Sequence, residues 1–252
     1  MTQPLSKRDG FLKMSEIKQE NWLKANRFTT LLIGLAILIF SIPIANLVRT
    51  TAPPVLPRLL FLICFTILLL SALFTIGRSR RRLIIATVLS IPGLVLLGAD
   101  TIFENDTIKG WAYIFTILFL GYVIVLAIQA FFQKRAVTKD TICASLCVYL
   151  LIGVCWAFIY SIIAIFLPDS FNLADSHLEA LQNPNIKVSQ SGLAMYYSFV
   201  TLSTLGYGDI TPANGISRVF SYAEAVTGQI YLAVLVARLV GLNIAKALER
   251  KK

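Results

Sequence analysis

Six long runs of apolar residues, separated by short polar segments, dominate the pattern of the chain. A helix of about 20 apolar residues crosses the roughly 30 Å hydrocarbon core of a bilayer, so each run is long enough to span a membrane. The pattern therefore predicts an all-α membrane protein with six transmembrane helices. The predicted spans cover residues 28–48, 59–77, 83–99, 111–132, 142–167 and 216–244.

The third predicted span is the shortest of the six and holds Pro92 and Gly93 near its middle. Proline lacks a backbone N–H, and its ring clashes with the carbonyl four residues earlier, so it interrupts helical hydrogen bonding. This span is therefore predicted to be bent or partly unwound at these two residues.

A further apolar stretch, residues 192–203, lies between the last two spans and is too short to cross a bilayer. It leads into residues 204–212, where two glycines flank a tyrosine and an aspartate follows, a composition poor for both helix and strand. Non-helical backbone at membrane depth is tolerated only inside protein or beside a water-filled cavity. The stretch is therefore predicted to be a re-entrant pore helix, followed by a loop that lines a pore.

Composition and charge support a membrane protein and exclude a nucleic-acid-binding one. Hydrophobic residues make up 57% of the chain and its mean hydropathy is +0.75, both far above a soluble domain. The net charge is +10, but 17 of the 23 Lys and Arg residues lie in 1–27, 78–82, 134–139 and 246–252, mostly beside apolar runs. This placement follows the positive-inside rule and predicts a multi-pass protein of the cell (plasma or inner) membrane, with both termini cytoplasmic.

The polar residues indicate neither a catalytic site nor a cofactor site. His177 is the only histidine and lies in a mixed polar loop, where it is interpreted as a solvated residue, with an external pH sensor as the alternative. The cysteines lie within apolar runs and are expected to pack as small hydrophobic residues; they are Cys64, Cys143, Cys147 and Cys155. We therefore expect no enzyme activity and no cofactor.

The fourth predicted span, residues 111–132, contains no Lys or Arg. A voltage sensor repeats a basic residue at every third position, so that several charges cross the membrane field. Here the basic residues Lys134, Arg135 and Lys139 come after the span. Gating by a conventional voltage sensor is therefore predicted to be absent.

Residues 204–209, Thr-Leu-Gly-Tyr-Gly-Asp, resemble the selectivity filter of the tetrameric potassium channel superfamily, whose common form has Val where this chain has Leu205. Gly206 and Gly208 can adopt a positive φ at little cost, so that Leu205 and Tyr207 keep ordinary angles while successive carbonyls turn to one side. A row of such carbonyl oxygens replaces the hydration shell of a potassium ion.

The resemblance implies that K+ is held by backbone carbonyls and that the Thr204 hydroxyl forms the innermost site. The carbonyls belong to Thr204, Leu205, Gly206 and Tyr207. Gly208 and Asp209 would form the outer mouth. Because one chain supplies only one strand of the ring, a homotetramer is implied, with K+ as its permeant ion.

Three residues are predicted to support this filter. In the superfamily an aromatic pair at the positions of Tyr196 and Tyr197 braces the filter from behind, and ordinary aromatic packing is the alternative. Glu224 is the acidic residue well inside the last span and is expected to lie near the pore helix, bonded to a hydroxyl group there. The candidate partners are Ser198, Thr201 and Ser203. The alternative turns the Glu224 side chain outward.

The last span is predicted to carry the gate. Gly228 lies where the inner helix of resembling pores has a hinge glycine, and close packing against a neighbouring helix is the alternative. Five residues of this span follow one another at three- and four-residue steps and so share one helix face: Gln229, Leu232, Val236, Val240 and Ile244. This face is expected to line the cavity, with Gln229 beneath the filter and a constriction that closes by dewetting. A packing face within the helix bundle is the alternative.

The chain is thus predicted to contain a cytoplasmic segment 1–27, a four-helix membrane domain 28–135 without gating charges, and a pore domain 136–252 with a short basic tail. The predicted function is a potassium-selective channel that works as a homotetramer among membrane lipids, with an unknown regulatory partner left open. Two alternatives remain: a subunit like those of potassium transporters, and a nonconducting regulatory or sensor subunit.

Overall fold

The apolar runs of the chain fold as long helices. The structure is a computed structural model, and it describes residues 27–51, 55–76, 79–133, 138–174 and 190–249. The segment up to residue 26 and the loop with His177 lie outside the described residues, so the predictions made for them stay predictions.

Seven helices and two short strands follow one another in these described parts. The helices are α1 (Arg27–Thr51), α2 (Val55–Ile76), α3 (Arg80–Phe103), α4 (Asp106–Gln133), α5 (Lys139–Phe166), α6 (Gln190–Leu202) and α7 (Gly215–Glu249). The strands are β1 (Phe171–Leu173) and β2 (Ile210–Pro212). Six of the helices, all but α6, are long and apolar enough to cross a membrane. The chain is therefore a multi-pass, all-α membrane protein, as its sequence pattern predicts.

The third helix is longer and more regular than its sequence predicts. α3 is helical along its whole length and passes through Pro92 and Gly93, so the prediction of a partly unwound span is wrong. Gly93 is buried against α4, where an added Cβ would lie 3.4 Å from Phe115 Cβ and from Thr116 Oγ1. Neighbouring helices can compensate for a proline in a membrane helix, and this close packing supports the helical backbone of α3 around Pro92.

A two-stranded antiparallel sheet joins the end of α5 to the segment before α7. Its register pairs Phe171 of β1 with Pro212 of β2. Each strand has three residues, too few for an alternating pattern to show in the sequence. The Ala174 N–H also donates to the Asp209 carbonyl oxygen at 2.9 Å. The sheet therefore holds the end of the segment that carries the predicted filter.

A polar cap fixes the start of α7. Asn214 Oδ1 accepts from the Ser217 N–H at 2.9 Å, and Ser217 Oγ accepts from the Asn214 N–H at 3.2 Å. These bonds satisfy N–H groups that a helix start leaves without intrahelical partners. Asn214 Nδ2 also donates to Ser170 Oγ at 2.8 Å. The cap therefore ties the start of α7 to the connection that follows α5.

The fifth helix lies between the first four helices and the predicted pore. α5 packs against α1, α4 and α6, while α1 pairs with α2 and α3 with α4. Phe158 of α5 meets Phe65 of α2 and Tyr113 of α4 edge to face, with ring centroids 6.0 and 5.1 Å apart. The apolar core continues from there to Met195 and Leu202 of α6. The division into membrane and pore domains stays a prediction.

The last helix is far less covered by the rest of the chain than α5. Over the apolar part of each helix, 56% of the residues of α5 are buried, against 6% for α7. Exposed apolar side chains of α7 include those of Tyr222, Val226, Ile230 and Val234. Because so much apolar surface is left open, α7 needs further contacts from lipid or from other chains.

Candidate functional site

The segment of residues 204–209, which we call the 204–209 loop, has an alternating backbone. Thr204, Gly206 and Gly208 have positive φ values of 58°, 58° and 81°, whereas Leu205 and Tyr207 do not. Such alternation rotates successive peptide planes, the arrangement in which neighbouring carbonyls can face one side. The sequence predicts the two glycines, and it does not predict the left-handed Thr204.

Thr204 has a positive φ because it lies in the turn that closes the C-terminal end of α6. The Leu205 N–H donates to the Val200 carbonyl oxygen at 2.9 Å, and the Thr204 N–H donates to that of Thr201 at 3.0 Å. These two bonds form a Schellman motif, in which the residue after the helix cap is left-handed. Glycine usually occupies that position, so a threonine there does not predict a left-handed residue from the sequence.

The loop is exposed on one side and held on the other. Leu205 and Tyr207 are 55% and 66% exposed within the single chain. Tyr196 Oη donates to Asp209 Oδ2 at 2.7 Å, and the Tyr196 ring lies nearly parallel to that of Tyr207, with centroids 6.5 Å apart. Tyr196 of α6 therefore supports both the tyrosine and the aspartate of the loop.

Tyr197, the second residue of the predicted aromatic pair, packs against α5, β1 and α7. Its hydroxyl lies 2.6 Å from Ser221 Oγ of α7, and its ring packs edge to face on Tyr160 and Phe171, at 4.9 and 5.2 Å. It thus joins α6 to α5, β1 and α7. Of the predicted aromatic pair, Tyr196 reaches Asp209, while Tyr197 packs among the surrounding elements.

Glu224 joins three helices behind the loop. Its side chain is fully buried, with 0% exposure, so the outward alternative does not occur. Ser198 Oγ of α6 donates to Oε1 at 2.5 Å, and Tyr160 Oη of α5 donates to Oε2 at 2.6 Å. Ser198 Oγ also lies 2.7 Å from the Gly153 carbonyl oxygen. Ser198 was among the predicted partners, whereas Tyr160 was missed because no local pattern links residues so far apart.

Gly228 lies where α7 passes the end of α6. A Cβ at this position would overlap the Leu202 carbonyl oxygen and lie 3.0 Å from Leu202 Cδ1. This contact is the close packing named as the alternative to a hinge. A hinge at Gly228 stays a prediction.

The predicted gate face of α7 is directed away from the chain's other helices. Its aliphatic members Leu232, Val236, Val240 and Ile244 are all exposed. Gln229 heads this face, and its Nε2 donates to Thr204 Oγ1 at 3.4 Å, a long contact with the first residue of the loop. Within the described parts of this chain, no other helix covers these aliphatic side chains, as the packing-face alternative would require.

No group of three or more His, Cys, Asp or Glu that could hold a metal ion occurs within residues 27–51, 55–76, 79–133, 138–174 and 190–249. The oxygen atoms that the site offers are instead backbone carbonyls and the Thr204 hydroxyl. Oxygen ligands of this kind suit a dehydrated monovalent cation.

Residues 148–244 of the chain match the ion channel family. They run from α5 through α6 and the 204–209 loop into α7, and so include every residue of the candidate site. No solved structure matches the chain.

Three curated relatives align with parts of the chain. Protein LctB of Bacillus caldotenax is 34% identical over 97 residues, which are 36% of this chain and 64% of LctB. Two-pore potassium channel 4 of Arabidopsis thaliana is 40% identical over 47 residues, 19% of this chain and 16% of that protein. A protein of Rhodopseudomonas palustris, provisionally named a potassium channel protein, is 49% identical over 41 residues, 16% of this chain and 10% of that protein. The chain therefore spans less than two thirds of each of these relatives.

Proposed function

Since residues 148–244 match the ion channel family, we propose that the chain is one subunit of a potassium-selective channel that conducts K+ passively. Two of the relatives carry potassium channel names, which supports K+ as the permeant ion. The observation that carries the proposal is the alternation of left-handed residues along the 204–209 loop.

Ion selectivity is proposed to arise from the backbone of this loop. The carbonyls of Thr204, Leu205, Gly206 and Tyr207 take the place of water around K+, and Gly208 and Asp209 form the mouth. The Schellman motif fixes the inner end of the loop on α6, and the bond from Tyr196 to Asp209 fixes its outer end. A backbone held at both ends keeps its oxygens at the spacing that a dehydrated ion requires.

The working unit is proposed to be a homotetramer. A single 204–209 loop offers oxygens from one side only, and a closed ring of four copies with cyclic symmetry would surround an ion. The exposed side of the loop and the uncovered surface of α7 are where the other copies would lie. In this assembly the exposed aliphatic face of α7 would line the cavity and close it by dewetting.

The remaining parts of the proposal concern the membrane and the gating stimulus. The distribution of Lys and Arg supports the cell membrane as the location, with both termini cytoplasmic. α4 carries no charge between Lys109 and Lys134, which supports a channel without a conventional voltage sensor. A regulatory partner or lipid would then act on the first four helices.

Ion flux from liposomes tests this proposal. Purified full-length chain is reconstituted, and efflux of K+ and of Na+ is measured along equal gradients. We expect channel-like K+ flux and little Na+ flux. Gly206 has a φ of 58°, and a side chain in the left-handed region costs about 1–2 kcal/mol, a cost repeated in each copy. Gly206→Ala is therefore expected to lower K+ flux by about tenfold or more, since 1.4 kcal/mol is about a factor of ten in rate.

Gly98→Ala is the matched control. Gly98 lies in α3 with no atom within 4 Å of an added Cβ, so this variant should conduct like the wild type. Equal flux of K+ and Na+ through the wild type would contradict potassium selectivity. No flux of either ion under any condition would contradict a channel and favour a nonconducting subunit.

A further inference from the structure

Arg238 ties α7 to the C-terminal end of α4. Its Nη2 donates to the carbonyl oxygens of Phe132 at 2.6 Å and Phe131 at 3.2 Å. The guanidinium carbon also lies over both aromatic rings, 4.6 Å from the centroid of Phe132 and 5.2 Å from that of Phe131. Because α4 ends at Gln133, these are two of its last carbonyls.

This environment suits an arginine in particular. The last four carbonyls of a helix have no intrahelical partner and carry the negative end of the helix dipole. A planar guanidinium can donate hydrogen bonds to them while it stacks on an aromatic ring, which an ammonium group does less well. The contact therefore depends on the shape of the Arg238 side chain as well as on its charge.

Arg238 lies on the opposite side of α7 from the predicted gate face. It is two residues from Val236 and two from Val240, and two residues turn a helix by about 200°. Both valines are exposed, whereas the Arg238 head packs on α4. α4 therefore contacts α7 on the side opposite the exposed aliphatic face.

The contacts of α7 with α5 and α6 lie nearer the 204–209 loop than Arg238 does. Glu224 bonds to α5 and α6, and Gly228 packs on Leu202. Tyr231 Oη donates to the Ser145 carbonyl oxygen of α5 at 2.6 Å. Arg238 follows Tyr231 by about two helical turns and contacts α4 instead. The first part of α7 is thus fixed to α5 and α6, and the later part to the first four helices.

We propose that Arg238 is a coupling residue through which the first four helices bias the opening of the pore. This inference rests on the proposed channel function. In the docked arrangement, Arg238 caps α4 and holds the segment 236–244 of α7 against it. When Arg238 is released, that segment moves independently of α4, and the balance between open and closed pores changes. The 204–209 loop keeps its own contacts in both arrangements.

Single-channel recording tests the coupling. Wild type and Arg238→Gln are compared as full-length chains in planar bilayers with K+ on both sides. We expect the open probability to shift about fivefold or more, in the range of ordinary coupling between sites. Unit conductance and the K+/Na+ permeability ratio should stay as in the wild type. A merely structural role would instead change all three together or lower the number of channels.

Two variants serve as controls. Arg81→Gln removes the same charge from an exposed position in the first turn of α3, and it should keep the open probability of the wild type. Arg238→Lys keeps the charge and loses the planar group, so its open probability should lie between those of the wild type and Arg238→Gln. An Arg238→Gln channel with the open probability of the wild type overturns the proposal.

Phe132→Leu covers the case in which Arg238→Gln does not assemble. It keeps the carbonyl and removes the ring beneath the guanidinium, at a side chain that is 49% exposed. We expect a smaller shift of the open probability in the same direction. Combined with Arg238→Gln, where both assemble, it should add less than its single effect, since the two changes break one contact. If Arg238→Gln fails to assemble, an unchanged open probability in Phe132→Leu overturns the proposal.

Hydrogen exchange separates a failure of this inference from a failure of the channel function. If the wild type conducts no K+, the proposed function fails, and the amides of α7 still report on the docking contact. We expect faster exchange at residues 234–244 in Phe132→Leu and Arg238→Gln, and unchanged exchange at residues 218–230. Unchanged exchange along all of α7 in both variants overturns the coupling contact, whatever the conductance.

Discussion

Gly228 lets α7 pass directly against the end of α6. Leu202, whose carbonyl oxygen a Cβ at Gly228 would overlap, lies two residues before the 204–209 loop. The absence of a side chain at Gly228 therefore sets how closely α7 approaches the base of the loop. This geometry gives a physical reason for glycine at the position without any need for a hinge.

Gly228→Ala is expected to destabilise the protein. Overpacking a tight contact costs about 1–3 kcal/mol, and each kcal/mol lowers the unfolding midpoint by about 2–4 °C in a chain of this size. Thermal unfolding of the purified protein in detergent measures the change. Gly241→Ala, in the same helix with no atom within 4 Å of the added Cβ, should unfold like the wild type. An unchanged midpoint together with an altered open probability would favour the hinge interpretation.

Glu224 shows how far single residues can be placed from the sequence. A carboxylate inside an apolar span must find donors, which predicts burial near polar groups and names Ser198 as a partner. The second donor, Tyr160, lies 64 residues earlier in the chain. Its approach depends on how α5 packs against α7, and no local pattern encodes that packing. The sequence thus predicts that Glu224 is bonded to hydroxyl groups and names Ser198, but it does not predict Tyr160.

At the scale of elements, α6 determines the position of the loop. Its predicted limits, 192–203, agree closely with the observed helix Gln190–Leu202, because the apolar stretch ends just before the loop that holds the two glycines. The way in which the helix ends was not predictable. A left-handed Thr204 is imposed by the two hydrogen bonds of the Schellman motif, against the ordinary preference of a β-branched residue.

The bond from α6 to the outer end of the loop can be removed with little change in shape. Tyr196→Phe deletes the hydroxyl that donates to Asp209, and a hydrogen bond to a charged group contributes about 1.5–3 kcal/mol. We expect the outer part of the loop to become less rigid, so that the K+/Na+ permeability ratio falls by about tenfold. Reversal potentials with K+ on one side and Na+ on the other measure this ratio.

Tyr122→Phe provides the control for that experiment. It removes a hydroxyl that donates to the Arg82 carbonyl oxygen at 3.4 Å, in the first four helices and away from the loop. Its permeability ratio should equal that of the wild type. A folded Tyr196→Phe channel with unchanged selectivity would show that the loop does not need this bond.

The other helices and strands differ in how strongly the local sequence predicts them. The six long helices follow from apolar runs alone, because a bilayer-length run leaves few alternatives. The helical geometry of α3 through Pro92 depends on its packing against α4, and the strands β1 and β2 depend on the chain returning to the end of α5. Both features are tertiary, so local sequence rules misread the first and could not find the second.

At the scale of the whole molecule, α5 is the main link between the first four helices and the rest of the described chain. α5 joins the first four helices to α6, and Arg238 joins the later part of α7 to α4. The Tyr113 hydroxyl of α4 also lies 3.0 Å from Ser191 Oγ at the start of α6, so the first four helices contact the predicted pore at several places. In the proposed channel, the packing of α5 on α6 helps to position the 204–209 loop, and the contact at Arg238 is the one proposed to influence when the pore opens.

The distribution of charge over the whole molecule predicts how conduction depends on membrane potential. Moving one elementary charge through 100 mV is worth about 2.3 kcal/mol, so a steep response needs several charges that move in each chain. α4 has no charged side chain between Lys109 and Lys134, and Arg238 is tied to the end of that helix.

We therefore expect a shallow conductance–voltage relation, equivalent to less than about one elementary charge per chain. Macroscopic currents in bilayers with equal K+ on both sides measure this slope, and Arg238→Gln shows whether Arg238 supplies any residual charge movement. A steep relation equivalent to several charges in each chain would contradict the prediction. Such a result would require charged groups outside the apolar part of α4 to move across the field, since residues 110–133 contain none.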